Sequence, residues 1–147
     1  RTMLGLDLSR NQLTGGIPEQ VLSLSSLALG LNLAQNRLTG PLPVGFGGLC
    51  RNLGRLDISN NKLSGHFPDT LGNCEVLEFL NMQGNLFEGT FPESFTNLRS
   101  IQVLDLSCNN LSGTIPEFLV TFPLIQYLNL SFNMFEGEVP TEGVFRN

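Results

Sequence analysis

The sequence predicts an α/β solenoid: a right-handed coil of about six rungs over residues 1–147, treated as a single domain. A parallel β-sheet lines its concave face, and short 3₁₀ or helical turns line the convex face. Three observations carry this. Asparagines recur at 11, 36, 61, 85, 109 and 133, at spacings of 25, 25, 24, 24 and 24. Leucine, at 28 residues, and asparagine, at 15, dominate the composition. Glycine stands four residues, and proline seven residues, after every one of those asparagines. A repeat of this period marks stacked units that bury their apolar faces only against one another.

Each element of a rung follows from its residues. Five before the asparagine stand Leu6, Leu31, Leu56, Leu80, Leu104 and Leu128; three before stand Leu8, Leu33, Ile58, Met82, Leu106 and Leu130. Apolar residues alternating with polar ones are strand periodicity, so the leucines point inward and the residues between them point out. Adjacent rungs then form a parallel sheet with right-handed connections. The asparagine ends the strand, and its amide both donates and accepts, which suits a ladder along the buried turn. The glycines (Gly15, Gly40, Gly65, Gly89, Gly113, Gly137) permit a turn at positive φ. The prolines (Pro18, Pro43, Pro68, Pro92, Pro116, Pro140) hold the next stretch extended with limited pairing. Val21, Phe46, Leu71, Phe95 and Leu119, then Leu24, Leu49, Cys74, Leu98 and Phe122, are the inward residues of a short return turn.

Composition excludes several functions. The net charge is −5, and Lys62 is the only lysine. Phosphate binding needs clustered cations, so no nucleic-acid partner is expected. Direct contact with an anionic membrane is excluded on the same ground. No apolar run approaches the ~20 residues that span a bilayer. Arg1-Thr2-Met3-Leu4 is not a signal peptide. The pattern is already running at both ends, so the chain reads as part of something longer, without terminal caps. Met3, Leu6 and Leu8 at one end, and Leu128, Leu130 and Val144 at the other, are expected to leave open rungs that associate end to end.

Chemistry is scarce. Asp7, Asp57 and Asp105 recur with Ser9, Ser59 and Ser107, but the single histidine, His66, falls in the turn beyond the strand. No catalytic site is expected, and the kinase motif set is missing from this chain. There is no C-x-x-C, and one histidine completes no plausible zinc site, so neither metal nor cofactor is expected. Cys50 and Cys74 lie one rung apart on the return side, where they either form a disulfide or fill core as two thiols. Cys108 takes the last outward position before Asn109, free and partly exposed or covered by a neighbouring rung. Asn110-Leu111-Ser112 and Asn129-Leu130-Ser131 read as glycosylation sequons, though the repeat itself spells both. Asn110 should be exposed beside the turn; Asn129 should face the concave sheet.

The concave face carries the binding candidates. Four before the asparagine runs a polar column that includes Asp57, Asn81 and Asp105. Six before it runs Gly5, Gly30, Arg55, Phe79, Val103 and Tyr127, and one before it Arg10, Gln35, Asn60, Gly84, Cys108 and Phe132. Phe79, Val103, Tyr127 and Phe132 turn outward, and strands ~4.8 Å apart should merge them into one apolar patch. A partner, a cap or a glycan would cover it.

The unit L-x-x-L-x-L-x-x-N-x-L-x-G-x-I-P, as in Gly15-Gly16-Ile17-Pro18 and Gly113-Thr114-Ile115-Pro116, resembles the plant-type leucine-rich repeat. The closing stretch, from Leu128-Asn129-Leu130-Ser131 through Glu136-Gly137-Glu138-Val139-Pro140 to Glu142-Gly143-Val144-Phe145, resembles a last repeat in plant receptor kinases. The subfamily in view includes bacterial-elicitor and rice blight-resistance receptors. Gly143 departs from the pattern, replacing the apolar residue ten after Asn133, as in a repeat handing over to a cap. The resemblance implies a membrane-proximal ectodomain segment outside the plasma membrane, whose parent adds one membrane helix and a serine/threonine kinase domain. It implies a peptide or pathogen-derived ligand on the concave face and a co-receptor kinase ectodomain as second partner. Two alternatives share the repeat: a secreted polygalacturonase inhibitor of the cell wall, and a receptor-like protein without a kinase.

Overall fold

The computed structural model describes residues 2–46 and 50–146; the expected inward residue Leu49 lies outside them. One short strand from each rung builds the concave sheet: β1 (Gly5–Asp7), β3 (Gly30–Asn32), β5 (Arg55–Asp57), β7 (Phe79–Asn81), β9 (Val103–Asp105) and β11 (Tyr127–Asn129). The six strands lie in chain order and pair in parallel. The register sets Leu6, Leu31, Leu56, Leu80, Leu104 and Leu128 in one row. Leu56, Leu80 and Leu104 are fully buried there, as the inward column requires.

The asparagine ladder forms as its chemistry allows. Asn85 Oδ1 accepts from the Leu63 amide of the preceding rung at 3.0 Å. Its Nδ2 donates to the Ile58 carbonyl of that rung at 3.0 Å and to Met82 of its own at 3.2 Å. Asn36, Asn61, Asn109 and Asn133 repeat the pattern. Each amide thus satisfies backbone groups that the buried turn would otherwise strand.

After the asparagine the structure differs from the expectation of a turn and a loosely paired segment. A second parallel sheet runs there: β2 (Thr14–Gly15), β4 (Arg37–Gly40), β6 (Lys62–Gly65), β8 (Leu86–Gly89) and β10 (Asn110–Leu111). Rung six adds an isolated Thr114–Glu136 bridge. In β6, Lys62 is exposed and Leu63 buried, so a two-residue period is present but very short. Glycine ends β2, β4, β6 and β8, and the whole glycine column holds φ between 79° and 83°.

Proline then leads into the return turns. Glu19–Leu22 is a single α-turn; Asp69–Asn73, Glu93–Asn97, Glu117–Thr121 and Gly143–Phe145 are 3₁₀ turns. Pro18, Pro68, Pro92 and Pro116 sit just before the first four at φ near −70°, the angle the ring imposes. Between the two sheets and these turns lies one continuous core. It gains packed aromatic rings in the later rungs, with Phe67 tilted against Phe87 at 4.9 Å and stacked on Phe95 at 5.6 Å.

Gly143 has a packing reason. At φ 54°, a Cβ there would collide with the Val120 backbone, so glycine lets rung six close onto rung five. In the outer rungs Met3 is 48% and Leu8 37% exposed, while Leu6, Leu128, Leu130 and Val144 are half-buried.

Candidate functional site: the concave surface

The polar column of the concave sheet is built from turns. Asp57 Oδ1 accepts from the Ser59 amide at 3.1 Å and from the Ser59 hydroxyl at 2.7 Å. Asp7 with Ser9, Asp105 with Ser107, and Asn129 with Ser131 repeat this geometry. Asn81 accepts from the Gln83 amide alone. The recurring aspartate–serine pairs therefore cap the strand end. Asp105 is only 7% exposed, and its Oδ1 accepts from the Ser107 hydroxyl at 2.6 Å. Asp57 and Asn81 are half-buried. At Asp7, the hydrogen bond from the Ser9 hydroxyl holds the carboxyl below its ordinary range; the Ser9 amide, Asn32 and Arg10 act in the same direction.

The column six before the asparagine is aligned by the register: Arg55 beside Phe79, Phe79 beside Val103, Val103 beside Tyr127. Phe79 and Val103 are half-buried, and the Arg55 guanidinium lies 3.6 Å from the Phe79 ring centroid. That cation–π contact covers one ring face. Tyr127, at 50% exposed, carries the open apolar surface of this column.

Phe132 belongs elsewhere. Arg10, Gln35, Asn60, Cys108 and Phe132 all adopt φ of 54–56°. The position before each asparagine is thus a left-handed turn beyond the strand, where a side chain other than glycine is strained. Phe132 is 82% exposed. The expected single patch is therefore two features at opposite ends of the strand: a Phe79–Val103–Tyr127 column, and Phe132 in the turn column next to Cys108. The alternation rule cannot show this, because the strand stops two residues short of that turn. A polar trough of about 470 Å³ between the columns is lined by Asp7, Ser9, Arg10, Gln35, Asp57, Asn60 and Gln83, among others.

The remaining candidates lie apart from these features. Cys50 and Cys74 are joined as a disulfide, with Cα atoms 4.3 Å apart, on the convex side. Cys108 is free and exposed. Asn110 is exposed in β10; Asn129 is half-buried, and its Nδ2 donates to the Tyr127 hydroxyl at 3.3 Å. His66 packs against Gly89, away from the aspartate–serine pairs. Among the described residues no group of His, Cys, Asp or Glu is placed to hold a metal, and no helix is long and apolar enough to cross a membrane.

Two parallel sheets, an asparagine ladder and proline-led 3₁₀ turns define a leucine-rich-repeat solenoid. Leucine-rich-repeat family models match residues 30–87, 83–135 and 4–26, and the chain belongs to that family. Its repeats are of the kind found in plant receptor-kinase ectodomains, an extracellular class of module and not a catalytic domain. The crystal structure of PEPR1 with AtPEP1 superposes with a TM-score of 0.88 at 38% identity, over 92% of this chain and 19% of that one. The Arabidopsis receptor kinase HAESA, with the peptide hormone IDA and the co-receptor SERK1, gives 0.87 at 32%, over 92% of this chain and 22% of that one. The ectodomain of the Arabidopsis receptor kinase SOBIR1 gives 0.83 at 31%, over 92% of this chain and 72% of that one. The chain thus spans about a fifth of the length of the first two. No curated protein sequence matches it significantly.

Proposed function

We propose that this chain is part of the extracellular sensor of a plant receptor kinase. Its concave face binds an extended peptide or pathogen-derived ligand, and its last rungs contact a co-receptor kinase ectodomain. The observation that carries this reading is the exposure of two aromatic residues in rung six, Tyr127 at 50% and Phe132 at 82%. Phe132 is also held in a left-handed backbone, so its exposure combines apolar hydration with strain. Exposed aromatics of this kind are frequent hot spots. HAESA, captured with a peptide and a co-receptor together, supplies the arrangement by analogy. The finer reading rests on resemblance: a membrane-proximal position, glycans on Asn110 and Asn129, one membrane helix, and a kinase in the parent. The test is a pull-down with a co-receptor ectodomain. Tyr127→Ala and Phe132→Glu are expected to abolish ligand-dependent association while the folded circular-dichroism spectrum persists. Unchanged association counts against this surface.

A further inference from the structure

The concave sheet is regular except at one junction. Between β3 and β5 the register holds only Leu31 with Leu56 and Asn32 with Asp57, whereas the other four junctions each pair three residues. At the later junctions the residue preceding the strand donates to the equivalent carbonyl one rung back, as from Glu78 to Gly54 at 2.9 Å and Gln102 to Glu78 at 2.8 Å. Gly54 instead donates to Ala28 at 3.3 Å, one residue early. Leu29, beside it, is 72% exposed. Gly30 follows at φ 139°, where a Cβ would press on the Arg55 carbonyl at 3.0 Å. Such bulges re-aim side chains, and they concentrate near functional sites.

The bulge opens a hollow of about 270 Å³, lined by Gly5, Asp7, Leu29, Gly30, Asn32 and Arg55 among others. Its volume suits one side chain, not a whole ligand. The two glycines leave it without side chains at those points. One face of the planar Arg55 guanidinium is occupied by Phe79. Arg55 is otherwise exposed and lines the hollow.

We propose that this hollow is a subsite for an aromatic side chain of the ligand, a tyrosine. The proposal rests on the reading of the concave face as the ligand surface and names one chemistry for it. A ring laid against Gly5 and Gly30 meets Leu29 and stacks on Arg55, extending the Phe79–Arg55 contact into a sandwich. Asp7 accepts the phenolic O–H. The carboxylate is charged at neutral pH, which makes this a charge-assisted hydrogen bond.

The test titrates the whole ¹⁵N-labelled chain with N-acetyl-tyrosinamide, N-acetyl-phenylalaninamide and N-acetyl-leucinamide. The tyrosine probe is expected to shift the Gly5 and Gly30 amides and to bind tightest, with the leucine probe about fivefold weaker or more. Arg55→Ala, an exposed change, should weaken the tyrosine probe by a similar factor. Asp7→Asn should remove its preference over the phenylalanine probe. Gly5→Val fills the floor; a Cβ there sits 3.5 Å from the Leu29 Cβ, an ordinary contact, and binding should be lost. Equal binding of the leucine probe overturns the assignment. So does saturable binding that survives Gly5→Val and Arg55→Ala, or the absence of any shift. Saturable shifts confined to the region of Tyr127 overturn the hollow and leave the ligand-surface reading standing.

Discussion

Rung four and rung one carry the same pattern and live in different surroundings. Asn85 is 6% exposed and clamped to both its own rung and the one before; Asn11 is exposed and donates only to Leu8 and Ser9 nearby. Two residues further on, Phe87 is fully buried, while Leu13 is 39% exposed. An identical motif therefore makes a core residue or a surface residue according to whether a neighbour stacks on each side. In a solenoid the energy of a repeat lies mostly in its interfaces.

The largest difference is expected between two truncations at one repeat position. Phe87→Ala is expected to cost about 3–5 kcal/mol, because it removes a buried ring and leaves a cavity. Leu13→Ala should cost only about 1 kcal/mol, since much of that side chain is already in water. Urea titration of both variants measures the difference, and equal losses would contradict interface control.

A smaller effect is expected at the ladder. Asn85→Ala strands the buried Leu63 amide and removes the donor to Ile58 and Met82, for a loss of about 3 kcal/mol. Asn11→Ala, whose partners are solvated, should cost about 0.5 kcal/mol. Thermal melts of the two variants test this order.

The smallest effect concerns titration. Asp7 is held below the ordinary carboxylate range chiefly by the Ser9 hydroxyl. A depressed folded value stabilises the fold above the unfolded value, and that contribution fades as pH falls through the folded one. Ser9→Ala is expected to raise the Asp7 midpoint towards the ordinary value, read by carboxyl ¹³C shifts across acidic pH. A midpoint unmoved by the substitution would show that the turn does not set it.

Much of this molecule is legible in its residues. The inward column from Leu6 to Leu128, the asparagine ladder and the positive-φ glycines all follow from fixed spacing, because each repeats a local requirement six times over. The second sheet was not legible. Its strands are as short as two residues and four of the five end in glycine, so the alternation in Lys62-Leu63-Ser64 is too brief to separate from a turn. The binding candidates were legible only by column. Phe79, Val103 and Tyr127 do share one, but Phe132 does not, since a left-handed turn intervenes.

The period, the inward face and the kind of repeat follow from residue order alone, for those depend on side-chain size and backbone permission at each position. Access does not; it is set when the rungs stack. Asp105 is sealed while Asp57 is partly open, and Arg55 is stacked on Phe79. A bulge ahead of β3 pairs Gly54 with Ala28 and leaves Leu29 exposed. Each outcome depends on how one rung seats on the next, a relation between residues more than twenty positions apart that no local pattern encodes.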